Sequence, residues 1–181
     1  MTRYVLPRHL APPARGRLAQ AVAAAFAAAQ RSAPGNAPVV VAFNYGLGFG
    51  SDVAVGNFNE TSAHPQVAEA VATVKLDWTK GRDGGPFLVD SHFQVDQSVW
   101  RSFQSARAAV DEVLTGSGSY FNEGDFSEQN WQSRYWGSRY SNLLRVKEKY
   151  DPQNLFSCHQ CVGSENGKGC LRRLSSPPIH L

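Results

Sequence analysis

Hydrophobic side chains recur at helical spacing in two long stretches of the chain. The first extends from about residue 14 to residue 30, and the residues that would share its apolar face are Leu18, Val22, Ala25, Phe26 and Ala29. The second extends from residue 96 to residue 114, and its apolar face would comprise Trp100, Phe103, Val110, Val113 and Leu114. The polar side chains that we expect to face water from this second stretch are Arg107, Asp111 and Glu112. Each stretch predicts an amphipathic helix that packs on a core.

Two further stretches also have a helical pattern. Residues 63–73 are one of them, and residues 128–150 are the other. Within the latter, Gly137 is expected to divide the pattern into two helices, and Pro152 prevents the second helix from continuing. The aromatic side chains expected in the core here are Trp131, Trp136, Tyr140 and Tyr150.

Strands are predicted where β-branched and aromatic residues cluster. The candidates are residues 4–7, residues 39–45 and residues 119–122, with a last extended piece at residues 155–156 and 162. Helices separate these strands along the chain, and no hairpin signal joins any two of them. This order of elements predicts the α+β fold class.

The composition is that of a globular chain, with 42% hydrophobic and 18% charged residues. No run of about 18 apolar residues occurs, so no membrane-spanning helix is predicted. The net charge is +3, and the first 51 residues contain five arginines and no acidic residue. Such a start is typical of an organellar transit peptide or of the solvated face of a helix. Nucleic-acid binding is not favoured, because the basic residues form no dense cluster with interleaved aromatics.

The three cysteines all lie late in the chain, at Cys158, Cys161 and Cys170. A structural zinc site needs four ligands, so His159 or His180 would have to complete one. A redox motif of the thioredoxin kind should open a helix after a strand, whereas this one follows a turn. The other interpretations are one disulfide plus a buried thiol, or a cysteine that pairs with a residue outside this chain.

Four blocks of sequence between residues 118 and 165 form one spaced pattern. Residues 119–125 read SYFNEGD, residues 131–140 read WQSRYWGSRY, residues 144–156 read LRVKEKYDPQNLF, and residues 162–165 read VGSE. In this order and spacing they resemble the Tyr-x-Asn-x-x-Asp, Trp…Gly…Tyr, Lys-x-Lys-Tyr-Asp-Pro-x-x-Leu-Phe and terminal segments of berberine-bridge-like FAD oxidases. The spacing across all four blocks makes the resemblance specific.

Upstream of these blocks the resemblance is looser. Residues 44–48 and 63–65 are similar to Asn/Gly and Asn/His-Pro segments of the family, and the first residues resemble part of its substrate domain. This argues against a transit peptide. Gln160 lies where many relatives also have glutamine. The segments of the family that hold FAD and attach it covalently have no counterpart in the sequence.

The resemblance implies a fold and a division of the chain. Members of the family have an FAD-binding domain followed by a substrate domain, an antiparallel sheet backed by helices. This chain is then part of the substrate domain (residues 1–115), a berberine-like C-terminal region (residues 116–166) and a loose tail (residues 167–181). The C-terminal region would return to pack on an FAD-binding domain that is absent from the chain.

The resemblance also implies a site for FAD and substrate. Tyr120 matches the tyrosine that takes a hydroxyl proton from substrate while hydride passes to the flavin, and it lies near the cofactor. Asn122 matches a residue that contacts the flavin, and it would lie on the same face of a strand as Tyr120. Asp125 is expected to cap the following helix, and Glu123 is expected to be solvated. No metal ligand is implied.

The function expected from these observations is that of the C-terminal portion of an FAD-dependent oxidoreductase. It would oxidise an alcohol or a sugar-like substrate, with oxygen as acceptor, and the chain alone is expected to be inactive. The alternative is a truncated, non-catalytic chain or a partner-binding domain without flavin. Relatives are often secreted, yet no signal peptide begins this chain, so the sequence does not indicate a compartment.

Overall fold

A computed structural model describes residues 1–32, 61–76 and 97–166 of the 181-residue chain. The strand predicted over residues 39–45 and the tail predicted after residue 167 lie outside these ranges, as does Cys170.

The described sheet consists of two short strands that are far apart in sequence. Strand β1 (Thr2–Val5) pairs antiparallel with β2 (Ala72–Lys75), so that Thr2 lies opposite Lys75 and Val5 lies opposite Ala72. All residues of β1 are buried. The extended segment predicted near residues 4–7 is therefore present, and it ends before Pro7, which begins the one-turn helix α1 (Pro7–Leu10).

The helix predicted over residues 63–73 is wrong. A 3₁₀ turn covers Pro65–Ala68, and the chain then enters β2. The alanines and valines of this stretch fit a helical pattern, but the pairing of β2 with β1 satisfies its backbone and buries Val74. Tertiary pairing overrides local propensity here.

The two long predicted helices are confirmed. They are α2 (Ala14–Ser32) and α3 (Gln97–Val113), which pack on each other and on the sheet. The buried side chains of this core include Val5, Leu18, Ala25, Val74, Leu76, Phe103, Val110 and Leu114. Phe26, which the pattern placed on the apolar face, is an exception, because it is 43% exposed. Strands and helices together give an α+β architecture.

After α3 the chain forms a second group of short helices. These are α4 (Trp131–Trp136), a 3₁₀ turn at Gly137–Arg139 and α5 (Tyr140–Tyr150). The break at Gly137 is confirmed, and its φ of +55° is a conformation that favours glycine. The end of the second helix at Tyr150 is confirmed as well. The prediction of an extended piece at residues 155–156 and 162 is wrong, because residues 151–163 form turns and irregular segments without a strand.

Aromatic side chains pack on one another, most of them edge to face, between α4, α5 and the preceding turn. The rings in contact belong to Phe121, Trp131, Tyr135, Trp136 and Tyr140. Trp136 is buried, while Trp131 and Tyr140 are half-buried at the margin of this cluster. Tyr150 does not belong to it: its side chain is 74% exposed, and the Lys149 ammonium lies over its ring.

Candidate functional site

The segment at residues 119–122 is held against β1 by hydrogen bonds, but it is not a strand. The Ser119 hydroxyl donates to the Thr2 carbonyl at 2.7 Å, and the Tyr120 N–H donates to the Thr2 hydroxyl at 3.0 Å. The chain then turns through a 3₁₀ helix, Phe121–Glu123. The prediction of a strand here is wrong. The Tyr120 N–H, which would donate to the backbone of a neighbouring strand, donates to the Thr2 side chain instead.

Tyr120 and Asn122 lie side by side at the surface. The Asn122 amide Nδ2 donates to the Tyr120 phenol oxygen at 2.7 Å, and the Tyr120 side chain is 48% exposed. The sequence predicted that they share a strand face; the 3₁₀ turn brings them together instead. The two side chains thus present a hydroxyl and an amide at one exposed edge of the molecule, where they could contact a polar group.

Beneath this pair, Tyr4 is buried in the sheet. Burial raises the pKa of the Tyr4 phenol to about 12, with smaller contributions from Tyr120 and Glu123. Tyr4 is therefore neutral at physiological pH. Glu123 is half-buried and forms an ion pair with Lys75 at 3.0 Å, so the expectation that it is simply solvated is wrong.

Arg3 on β1 is fully buried and paired with two carboxylates. Its guanidinium lies 2.5 Å from Asp111 on α3 and 2.6 Å from Glu128, which precedes α4. Burial opposes the charge of the Arg3 guanidinium, but the two carboxylates outweigh it and raise the pKa of Arg3. The pKa of Asp111 is lowered, because its arginine neighbours outweigh its own burial. Arg3 thus ties β1 to α3 and to the segment before α4.

Two more arginines complete this buried network. Arg107 contacts Asp125 at 2.9 Å and Glu128 at 3.3 Å, and Arg134 lies 3.6 Å from Glu128. The network thus contains three arginines and three carboxylates, so its charges balance. The arginines are Arg3, Arg107 and Arg134, and the carboxylates are Asp111, Asp125 and Glu128. The expectation that Arg107 and Asp111 face water is wrong, because both take part in the network; Glu112 is exposed, as predicted.

Asp125 does not cap α4, contrary to the prediction. One of its carboxylate oxygens accepts from the backbone N–H and the hydroxyl of Ser127, at 2.8 Å each, and the other pairs with Arg107. The residue that precedes α4 is Asn130, and its side chain makes no capping bond. Asp125 instead holds the loop of residues 125–128 in the buried network.

His64 is enclosed between the segments before and after α4. Its Nδ1 accepts from the Gln66 N–H at 3.1 Å. A Cβ added at Gly118 would lie 2.7 Å from the His64 ring, and one added at Gly137 would lie 2.8 Å from Nε2. Burial lowers the pKa of His64, and the nearby Arg139 and Arg134 lower it further, although a hydrogen bond to Ser133 opposes this. His64 is therefore a neutral, structural histidine.

Cys158 and Cys161 form a disulfide, with their Cα atoms 5.2 Å apart. This pairing agrees with the interpretation of one disulfide plus a third cysteine. Cys170 and His180 lie outside the described residues. Sulfurs bonded to each other are not available as zinc ligands. Within residues 1–32, 61–76 and 97–166, no group of three or more potential metal ligands is present.

The Lys-x-Lys-Tyr-Asp-Pro block folds into a turn that exposes two apolar residues. The Asp151 carboxylate accepts from the backbone N–H groups of Leu155 (2.7 Å) and Phe156 (3.0 Å), and Lys147 contacts both Asp151 and the Phe156 carbonyl. These contacts fix the backbone while the side chains of Leu155 and Phe156 are 73% and 81% exposed.

A known protein family matches the segment that contains the Tyr120–Asn122 pair and the disulfide. Residues 119–163 match the family described as "Berberine and berberine like". The chain carries a berberine-like region. This confirms the resemblance inferred from the four sequence blocks. The Tyr120–Asn122 pair opens the berberine-like region, and the disulfide lies near its end.

Curated relatives of the chain are FAD-linked oxidoreductases of fungi. FAD-linked oxidoreductase ZEB1 of Gibberella zeae is 50% identical over 56 residues, which are 31% of this chain and 10% of that protein. An uncharacterized FAD-linked oxidoreductase of Arthroderma benhamiae is 29% identical over 124 residues, 66% of this chain and 20% of that protein. FAD-linked oxidoreductase ffsJ of Aspergillus flavipes is 41% identical over 73 residues, 40% of this chain and 12% of that protein. The matched segments thus span a fifth or less of these relatives.

A solved structure shares the fold beyond the berberine-like region. The VAO-type flavoprotein MtVAO615 from Myceliophthora thermophila superposes with a TM-score of 0.54 at 24% identity. The superposition covers 91% of this chain and 27% of that protein. The chain therefore shares its fold with one part of that protein.

None of the helices within residues 1–32, 61–76 and 97–166 has the length and hydrophobicity of a membrane-spanning helix.

Proposed function

We propose that this chain is the C-terminal part of an FAD-dependent oxidoreductase that oxidises an alcohol or a sugar-like substrate, with oxygen as the final acceptor. The observation that carries the proposal is the berberine-like region, which begins with an exposed, hydrogen-bonded pair of the residue types that the chemistry needs. The FAD-linked relatives support the cofactor class.

Tyr120 is the residue proposed to accept the proton of the substrate hydroxyl. A general base must come within hydrogen-bond reach of that proton, and the exposed phenol of Tyr120 is accessible to a small molecule. The Asn122 amide occupies one side of the phenol oxygen and so fixes its direction. The backbone of Tyr120 is anchored to Thr2, which limits the movement of the base.

Asn122 is proposed to contact the polar edge of the flavin ring. Its amide can both donate and accept hydrogen bonds, and it is exposed beside Tyr120. An exposed amide and phenol fit one edge of a flavin ring, while the rest of FAD needs other binding groups. Bound FAD would supply a hydride acceptor, and the protein would contribute position and electrostatics.

The partner proposed for this chain is the FAD-binding domain. The matched segments span a fifth or less of the relatives cited above, whose names include FAD. Within the berberine-like region, large hydrophobic side chains are exposed at Tyr120, Phe126, Val146, Tyr150, Leu155 and Phe156. Large exposed apolar areas mark contact sites, so we assign residues 116–166 to the return segment that packs on the FAD-binding domain. Residues 1–115 are then assigned to the substrate domain.

The experiment that tests this function follows flavin reduction by substrate. The chain is joined to an FAD-binding domain of the same family, and alcohols and sugars are added without oxygen. We expect one class of substrate to bleach the flavin absorbance and oxygen to restore it with release of hydrogen peroxide. The FAD-binding domain alone is the control. Bleaching that is equally fast with and without this chain would contradict the proposal.

A further inference from the structure

The turn closed by the Cys158–Cys161 disulfide lies directly on the loop of residues 126–128. The ring of His159, the residue after Cys158, stacks on the Phe126 ring with centroids 3.9 Å apart, and its Nε2 donates to the Phe126 carbonyl at 2.8 Å. Within the turn, the Cys161 N–H donates to the Cys158 carbonyl at 3.2 Å. The disulfide and this bond give the turn a fixed shape.

Gln160 lies within this turn, and its side-chain amide forms hydrogen bonds through both its nitrogen and its oxygen. Its Nε2 donates to the carbonyls of Phe126 (3.0 Å) and Glu128 (2.9 Å). Its Oε1 accepts a hydrogen bond from the Tyr135 hydroxyl at 3.1 Å. The single hydrogen of this hydroxyl is shared between Gln160 and the Asp125 carbonyl. Burial, with Glu128 and Asp125 nearby, raises the pKa of Tyr135 to about 12, so this hydroxyl remains a donor at physiological pH.

The backbone of Gln160 depends on the turn that surrounds it. Its φ is +55°, in the left-handed region that a residue with a side chain adopts only when its surroundings enforce it. The disulfide bridges the residues two before and one after Gln160. The cross-link therefore favours the conformation from which the amide reaches residues 126–128.

The contacts of Gln160 support the buried ionic network. Gln160 bonds the backbone of Glu128 and, through Tyr135, is linked to the backbone of Asp125. The side chains of Glu128 and Asp125 hold the arginines of the network. A change in the disulfide can thus reach the loop through which the berberine-like region forms ion pairs with Arg3 and Arg107.

We propose that the Cys158–Cys161 disulfide is a redox-sensitive clamp that holds Gln160 against residues 126–128 and Tyr135, and that its reduction loosens this loop. The reductant is a dithiol. One of its thiolates attacks the sulfur of Cys158, which is exposed, to form a mixed disulfide and release the Cys161 thiolate, which takes up a proton. The second thiolate of the reductant then attacks the reductant's own sulfur in the mixed disulfide. This releases the Cys158 thiolate, which takes up the second proton, and leaves the reductant as a disulfide, oxidised by two electrons.

The clamp goes beyond the proposed function, because it requires neither flavin nor substrate. The test uses the 181-residue chain with Cys170→Ser, so that only one cysteine pair remains. Hydrogen exchange of the Ser127 and Glu128 amides and the Tm are measured before and after reduction with a dithiol. Peptides from α2, which lies outside the clamp, are the internal control. Gln160→Glu is the matched variant, since a carboxylate keeps the acceptor for Tyr135 but loses both donors to the carbonyls.

We expect reduction to speed exchange of these two amides about tenfold, as local opening becomes easier, and to leave exchange in α2 unchanged. The disulfide closes a short loop and so stabilises the fold modestly by restricting the unfolded chain. Its reduction should therefore lower the Tm by about 4 to 8 °C. Oxidised Gln160→Glu should resemble the reduced chain, and its reduction should change exchange much less. Unchanged exchange at Ser127 and Glu128 on reduction would overturn the proposal, as would a full reduction effect in Gln160→Glu.

Discussion

His64 is enclosed so closely that it needs a glycine on each side of its ring. The ring accepts from Gln66 and is crowded by Gly118 and Gly137, and burial with two arginines keeps it neutral. The sequence offered His64-Pro65 only as a loose family resemblance. Its role could not be predicted from local pattern, because Gly118 and Gly137 are far from it in the chain.

We predict that His64 makes stability depend on pH below neutrality. Its pKa is lowered in the folded state, while in the unfolded chain it is near 6.5, so the unfolded state binds more protons as the pH falls. Stability should therefore be complete above about pH 6.5 and decline as the pH drops below it. The loss by pH 5 should be at most about 2 kcal/mol, since one group changes the free energy of unfolding by about 1.4 kcal/mol per pH unit.

The measurement is urea unfolding at pH 7.5 and pH 5 for the wild type and His64→Asn. Asparagine keeps an acceptor for the Gln66 N–H and does not titrate. His9 also has a lowered pKa, but it contributes equally to both proteins and cancels in the comparison. Equal losses of stability in the two proteins between these pH values would show that His64 is not responsible.

At the level of elements, periodicity predicted the two long helices correctly, but it wrongly predicted a helix over residues 63–73, where β2 lies. Helices α2 and α3 follow from apolar residues at helical spacing, and the break between α4 and α5 follows from Gly137. Strand β2 was missed because its partner, β1, lies about 70 residues earlier. The buried network was missed for the same reason: Arg3 pairs with carboxylates 108 and 125 positions away.

We predict that Arg3→Met strongly destabilises the fold. It leaves the buried Glu128 and the partly buried Asp111 without their closest cation, and such a loss typically costs about 3 to 5 kcal/mol. Arg8→Met is the control, because Arg8 is exposed on α1 and its loss should change stability by no more than about 0.5 kcal/mol. Thermal unfolding compares the two variants. Similar Tm values would mean that the network does not hold these elements together.

At the level of the whole molecule, the α+β class and the presence of a berberine-like region could be predicted from the sequence, while the surroundings of the site could not. Four spaced blocks indicated a berberine-like region, which the family match confirms over residues 119–163. The adjacency of Tyr120 and Asn122 was anticipated from a strand, yet a 3₁₀ turn produces it. Turns depend on contacts such as Thr2 with Tyr120, which no local pattern encodes.

We predict that the isolated 181-residue chain binds FAD weakly and has accessible apolar surface. Tyr120 and Asn122 offer contacts to one edge of the ring, and Leu155 and Phe156 are exposed. Calorimetry and flavin fluorescence should give a Kd above about a micromolar, weaker than about −8 kcal/mol, and hydrophobic dyes should bind at neutral pH. Tight FAD binding by the isolated chain would show that no further domain is needed.

The role of Tyr120 as the base is tested most directly by the rate of flavin reduction after Tyr120→Phe, in the chain joined to an FAD-binding domain. The change removes one exposed oxygen and keeps the ring, so packing is preserved. Tyr150→Phe is the matched control, since it removes a phenol oxygen from another exposed tyrosine. Anaerobic stopped-flow at saturating substrate should show that Tyr120→Phe is slower by about 10² to 10⁴, or about 3 to 5 kcal/mol, while Tyr150→Phe matches the wild type. Reduction of Tyr120→Phe at the wild-type rate would contradict the role of Tyr120 as the base.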